Sequence, residues 1–450
     1  MNTNAIGSEA SQTLDNSKCV EPVSSCRRSS PAWRVGIWIG AALIAVVAPL
    51  VFDSGFGLSL LSQIGIMIVL CLSYNLMFGQ TGMLSFGHAV HSGLGAFFAI
   101  HALRMASEGA IWMPVSLIPL VGGIAGAGFA LLFGYVITRK SGTTFAMITL
   151  GIGELVFASS LMFPGFFGGE GGVTANRVYG QPFLGITFAP AQQVYYLIAI
   201  WCLLCAGGMF AFTQTPLGRI SNAVRDNPER AEFVGYDTRI VRYIVLILSG
   251  FFAGISGGLS AITFEIVSAE KVSTASSGAV LLATVIGGAG TFIGPVFGAI
   301  IFVLIAVALS EWTRAWQLYL GVFFVVLIMY APGGMTAVVT DNLRTRWRSS
   351  ALARAHWALP ALIVLGALTL LSFIVLVELA YSRTGNILDE TVWEIGGLRI
   401  DTSNSIVWFV VCSLVVACAA LFAIVRRHFV RRVDTSHVRS ADARDTKASA

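Results

Sequence analysis

Seven apolar runs, near residues 34–52, 58–79, 83–103, 114–138, 143–163, 192–213 and 241–262, constrain this chain more than any other feature. Each is long enough to cross about 30 Å of hydrocarbon as a helix. Between about 275 and 333 the chain is again nearly all apolar, but Gly287, Gly288, Gly290, Gly294 and Pro295 divide it, as do Glu311 and Arg314. Three short helices fit there, one of them a candidate re-entrant helix. Further runs near 357–380 and 403–425 complete an expected all-α, polytopic bundle of about 10–12 spans. With 56% hydrophobic and only 11% charged residues and a mean hydropathy of +0.79, this is no soluble domain.

Basic residues orient the spans, because loops on the cytoplasmic side are enriched in Lys and Arg. Arg27, Arg28 and Arg34 precede the first run, and Arg139 and Lys140 follow the fourth. The charged segment 214–243 follows the sixth, Arg344, Arg346, Arg348 and Arg354 the tenth, and Arg426, Arg427, Arg431 and Arg432 the twelfth. All fall on one side, which predicts both termini in the cytoplasm. The net charge of +5 is spread over these loops, so no nucleic-acid partner is expected. Asp53, Glu265 to Lys271 and the acidic loop with Asp389, Glu390, Glu394 and Asp401 fall on the opposite side.

Residues 1–32 are polar and read as a disordered cytoplasmic tail without a cleavable signal. Cys71, Cys202, Cys205, Cys412 and Cys418 lie within apolar runs, where thiols act as small hydrophobes, and neither a disulfide framework nor a metal cluster is implied.

Segment 214–243 sets Arg219, Arg225, Asp226, Glu229, Arg230, Glu232, Asp237, Arg239 and Arg242 between two apolar runs. Pro216 and Gly218 predict a turn, Asn227-Pro228 a helix start and Gly235 its stop, so residues 228–234 form a short helical knob. Its run ERAEFVG, residues 229–235, has the form E-x-A-x-x-x-G. This resembles the cytoplasmic coupling motif of ABC importer permeases, although Arg230 stands where the general pattern has Ala.

The resemblance narrows with AVRDNPERAEFVGYD at 223–237 and NLMFGQTGMLSFGHA at 75–89, which is similar to an N-L-x-x-G-x-x-G-x-x-S-x-G-H-A pattern. The glycine-rich LLATVIGGAGTFIGPVFGAI at 281–300 and LYLGVFFVVLIMYAPGGM at 318–335 complete it in consistent order. The chain thereby resembles the M-type permease subunits of branched-chain amino acid uptake systems over residues 35–340.

The resemblance implies a permease core at 33–340, followed by an extension at 341–426 that adds two spans and a cytoplasmic tail at 427–450. It implies an inner-membrane protein carrying branched-chain or other hydrophobic amino acids. The expected partners are a homologous permease subunit, two cytoplasmic ATPase subunits, a periplasmic binding protein and membrane lipid. No GxxxxGK[ST] occurs in the chain, so ATP and Mg belong to the ATPase and no catalytic residue or cofactor is expected here. Arg225, Asn227, Glu229, Arg230, Ala231 and Gly235 are the expected coupling residues.

Gly82, Gly87, Gly287, Gly288, Gly290 and Gly294 either let helices approach closely within the subunit or face the second permease or the path. His88 and His91 read as packed histidines rather than metal ligands. Glu154 is the one carboxylate deep within a predicted span, which makes it a pathway candidate. In the loop after residue 163, Gly169, Glu170, Gly171 and Gly172 are expected to form a periplasmic gate or docking loop. Urea or short amides remain alternative cargoes. An ion-coupled secondary transporter is the competing class, but it predicts paired intramembrane ionisable groups that this chain lacks in sequence.

Overall fold

A computed structural model describes residues 31–52, 54–178, 187–313, 315–330 and 333–336, with short stretches between 368 and 421. The expected tail at 1–32 and the extension and tail at 341–450 lie mostly outside these residues. The chain divides into two units, Met1–Asp53 and Ser54–Ala450. The first contains helix α1 (Pro31–Val51).

The second unit begins with α2 (Gly55–Thr81), α3 (His88–Ser107), α4 (Ile118–Ile137) and α5 (Thr143–Met162). The short turn α6 (Pro164–Phe167) leads to strand β1 (Val173–Thr174), then α7 (Ala191–Gln214), α8 (Pro216–Asp226), α9 (Pro228–Phe233) and α10 (Thr238–Phe264). Strand β2 (Ile266–Val267) pairs antiparallel with β1 and precedes α11 (Thr274–Gly287), α12 (Gly294–Val303), α13 (Leu309–Trp312) and α14 (Trp316–Tyr330). A small ribbon of β3 (Val392–Ile395) and β4 (Leu398–Asp401) follows.

Among the described residues six helices are long and apolar enough to cross a membrane, and shorter apolar helices include Thr274–Gly287 and Trp316–Met329. The chain is a polytopic helical bundle. Its third helix starts at His88 rather than near 83, because Gly82 takes φ +70° and closes α2 by donating its N–H to the Phe78 carbonyl, 3.0 Å away. The link that follows stays buried at Met83, Ser85 and Gly87.

Helix α10 lies at the centre, packed on α2, α3 and α4. Apolar side chains gain nothing by leaving lipid, so association there depends on close approach and polar links. The run SGFFAGISGGLS supplies both. A Cβ at Gly254 would sit 3.0 Å from the Gly123 Cα, and one at Gly258 would sit 2.7 Å from the Pro119 Cα. Ser249 donates to the Ser73 carbonyl at 2.7 Å and Ser256 to that of Ile66 at 3.0 Å, tying α10 to α2.

Candidate functional site

Helices α8 and α9 form an elbow at one end of the bundle. Thr215 accepts from the Gly218 N–H at 3.2 Å and Pro216 occupies the first helical position, so the expected turn is the start of an eleven-residue helix. Leu217, Ile220 and Val224 recur on one face of α8, and helical spacing turns that face inward. Asn227 is extended, and its side chain caps α9 by accepting from the Arg230 N–H at 2.9 Å. Gly235 then takes φ +98°, where a side chain is strained, and the Tyr236 N–H returns to the Ala231 carbonyl at 3.1 Å. Asp237 caps α10 by accepting from Arg239 and Ile240.

A small core of its own holds this elbow: Val224 from α8, Ala231 from α9 and Val241 from α10, flanked by Leu217 and Ile220. Thr238 donates to Glu232 at 2.8 Å across the same joint. With Ala231 turned inward, Glu229 and Arg230 point to solvent, and so do three large apolar groups. Phe233 is 90% exposed, Val234 70% and Tyr236 45%. Three neighbouring apolar groups so exposed on a polar element form a candidate interaction surface.

Arg225 points the other way. Its guanidinium donates to the Gly79 carbonyl near the end of α2 and pairs with Asp226 at 3.0 Å. Its stem lies over Gly82, where an added Cβ would meet the Arg225 Cγ at 2.9 Å. A cation at a helix C-terminus is favourably placed against the helix dipole.

The remaining candidates fall in three places. Gly287, Gly288, Gly294 and Gly298 join α11 to α12 at the end that carries the elbow; a Cβ at Gly287 would come 2.8 Å from the Gly298 N. One at Gly288 would come 2.7 Å from the Thr336 hydroxyl, which donates to the Gly287 carbonyl at 2.8 Å. Gly290 is exposed with open space before it. Gly87 backs onto Thr149 of α5, and buried His88 is paired through Nε2 with the Ser73 hydroxyl at 2.9 Å, edge-on to Tyr74. The His91 ring lies 5.9 Å away. Among the described residues no group of three or more His, Cys, Asp or Glu is arranged to hold a metal.

At the opposite end, Gly169, Glu170 and Gly171 make a 3-10 turn with Glu170 exposed, and Gly172 takes φ +70° against Val267. This loop is anchored rather than free. Strand β1 pairs with β2, and Arg177 donates to the Phe188 carbonyl at 3.0 Å and to those of Ile262 and Thr263 at 3.2 Å, closing the end of α10. Its backbone N–H also donates to the Glu265 carboxylate at 3.0 Å. The sequence gives no sign of Arg177, whose α10 partners lie some 85 residues away. Phe233 and Tyr236 are also absent from the expected coupling residues, although two aromatics inside a charged segment are a usable signal.

The family model for "Branched-chain amino acid transport system / permease component" matches residues 57–332. The chain is 26% identical over 330 residues to the "High-affinity branched-chain amino acid transport system permease protein LivM" of Salmonella typhimurium, covering 68% of this chain and 75% of that one. Its Escherichia coli counterpart is 26% identical over 307 residues, covering 62% of this chain and 70% of the relative. The "Galactose/methyl galactoside import permease protein MglC" of Escherichia coli is 27% identical over 307 residues, covering 61% and 86%. No solved structure matches the chain.

Proposed function

This chain belongs to the branched-chain amino acid transport permease family, and from that premise we propose that it is the membrane permease of an ATP-driven importer for branched-chain or other hydrophobic amino acids. It is a multi-pass membrane protein and not itself an enzyme; ATP is bound by a partner ATPase. The chain lies in the bacterial inner membrane, with its termini and the α8–α9 elbow in the cytoplasm. Residues 33–340 form the transporting core and 341–426 an appendage to it.

The observation that carries this reading is the elbow itself. Asn227, Gly235 and Asp237 fix its backbone, Ala231 holds it down, and Phe233, Val234 and Tyr236 are left bare. Such a knob fits a groove on an ATPase subunit, with the aromatic rings as anchors and Glu229 and Arg230 at the polar rim. When paired ATPases close and reopen, α9 moves, Arg225 passes the displacement to α2, and the joint at Thr238 passes it to α10. The spans then alternate access to the two sides by rigid-body motion. A homologous permease completes the path. A periplasmic binding protein delivers the cargo at the end that carries Glu170 and the Gly169–Gly172 turn.

A sugar is the second reading, favoured by the similarity to the galactoside permease. Two experiments test the proposal. Gly235→Val, strained at φ +98° but free of neighbours within 4 Å, is expected to abolish uptake while leaving membrane insertion intact. Purification of the native complex is expected to yield ATPase subunits. A self-sufficient chain transporting without ATP would refute the assignment.

A further inference from the structure

Helix α5 carries one ionisable side chain in twenty residues, Glu154, eleven residues from its start. At 1.5 Å per residue that is about 16 Å along the axis, near the middle of a hydrocarbon layer about 30 Å thick. The face that α5 buries is made by Phe145, Ala146, Thr149, Gly153, Val156 and Ser160. Glu154 is not on it. The carboxylate is exposed on the flank of the subunit, where it accepts a hydrogen bond from the Thr274 hydroxyl at the start of α11.

That flank is open. Gly151 lies three residues before Glu154 on α5 and Gly278 four residues after Thr274 on α11, so helical spacing puts each glycine beside its polar neighbour. A Cβ at either would meet nothing within 4 Å. The 3-10 turn Ala269–Val272, packed against α3 and α5, returns the chain from the outer end of α10 to this level, which is why α11 has only fourteen residues. A carboxylate facing lipid at this depth is strongly disfavoured, and intramembrane ionisable groups face water-filled cavities or protein instead.

We propose that Glu154, oriented by Thr274, faces the translocation path and receives the ammonium group of an amino-acid cargo at mid-membrane. A hydrogen bond between a carboxylate and an ammonium joins two opposite charges and is stronger than one from a neutral hydroxyl, so the pair favours a cationic donor over a neutral sugar. The glycines on either side leave room for an aliphatic side chain. This rests on the amino-acid reading above and adds the residue that enforces it.

The test is the KM for radiolabelled leucine in cells making the complete transporter, with assembled complex quantified in parallel. Glu154→Gln is expected to raise KM tenfold or more with assembly retained, Glu154→Asp to restore most of the affinity, and Thr274→Val to raise KM about threefold, in line with one lost hydrogen bond. An unchanged KM in Glu154→Gln overturns the assignment. So does loss of assembly with a normal KM in the complex that remains, which would make Glu154 a subunit contact. Should Glu154→Gln not assemble at all, Thr274→Val decides by the same readout. Wild-type cells that take up neither leucine nor any other hydrophobic amino acid refute the amino-acid reading instead, and a neutral cargo then carried equally by wild type and Glu154→Gln removes the role of Glu154 as well.

Discussion

Arg225 of α8 lies across Gly82, the residue that closes α2, and donates to the carbonyl of Gly79 one turn earlier. The elbow and the bundle are thereby joined at a point 146 residues apart in sequence. Arg225→Ala is expected to remove a charge-assisted hydrogen bond of about 1.5 kcal/mol or more, lowering uptake roughly tenfold while the ATPase still co-purifies. Gly82→Ala should behave alike, since φ +70° costs a side chain about 1 kcal/mol and the new Cβ displaces Arg225. Normal uptake in both variants would show that force does not pass through this contact.

Asn227→Ala is expected to loosen α9 by about 1 kcal/mol through loss of its cap, and Asn227→Ser to restore most of it. Limited proteolysis reports this directly: cleavage within residues 227–236 should accelerate in the alanine variant and return towards the wild-type rate in the serine variant.

At the far end of α10, Arg177 holds the carbonyls of Ile262, Thr263 and Phe188 with one guanidinium. Arg177→Lys keeps the charge but lacks the planar fork. It should increase hydrogen exchange in residues 164–178 and reduce uptake, with ATPase association unaffected. Loss of the ATPase from that variant would contradict the separation of the two ends.

Gly254→Leu should prevent the bundle from forming, because the α10 backbone lies against α4 at Gly122 and Gly123 with no space for a side chain. Gly207→Ala in α7, where a Cβ meets nothing within 4 Å, should leave expression unchanged. Thermal stability of the two detergent-solubilised proteins separates packing glycines from incidental ones.

The spans were legible because apolar run length maps directly onto helix length, and the elbow because Asn-Pro and Gly are local signals for starting and stopping a helix. Pro216 misled: it reads as a turn until Thr215 is seen as a cap, and only the spacing of Leu217, Ile220 and Val224 marks the helix that follows. The start of α3 was missed because Gly82 and Gly87 lie in an apolar run, where the αL turn at Gly82 is invisible without coordinates. The glycines at 287, 288 and 294 left two readings open, close packing within the subunit or facing the second permease or the path. Nothing in the sequence sets which way Glu154 faces, or that Thr274 reaches it, because that depends on where the 3-10 turn Ala269–Val272 brings α11 against α5.

If the bare apolar tip of α9 docks on an ATPase subunit, Phe233 is its anchor. Its side chain is 90% exposed, so Phe233→Ala costs this subunit little of its own stability. A buried aromatic anchor is worth about 2 kcal/mol or more at an interface, roughly thirtyfold in affinity. The amount of ATPase that co-purifies with the Phe233→Ala chain is therefore predicted to fall by an order of magnitude, with membrane insertion intact. Wild-type recovery of the ATPase from that variant would show that α9 does not dock through its apolar tip.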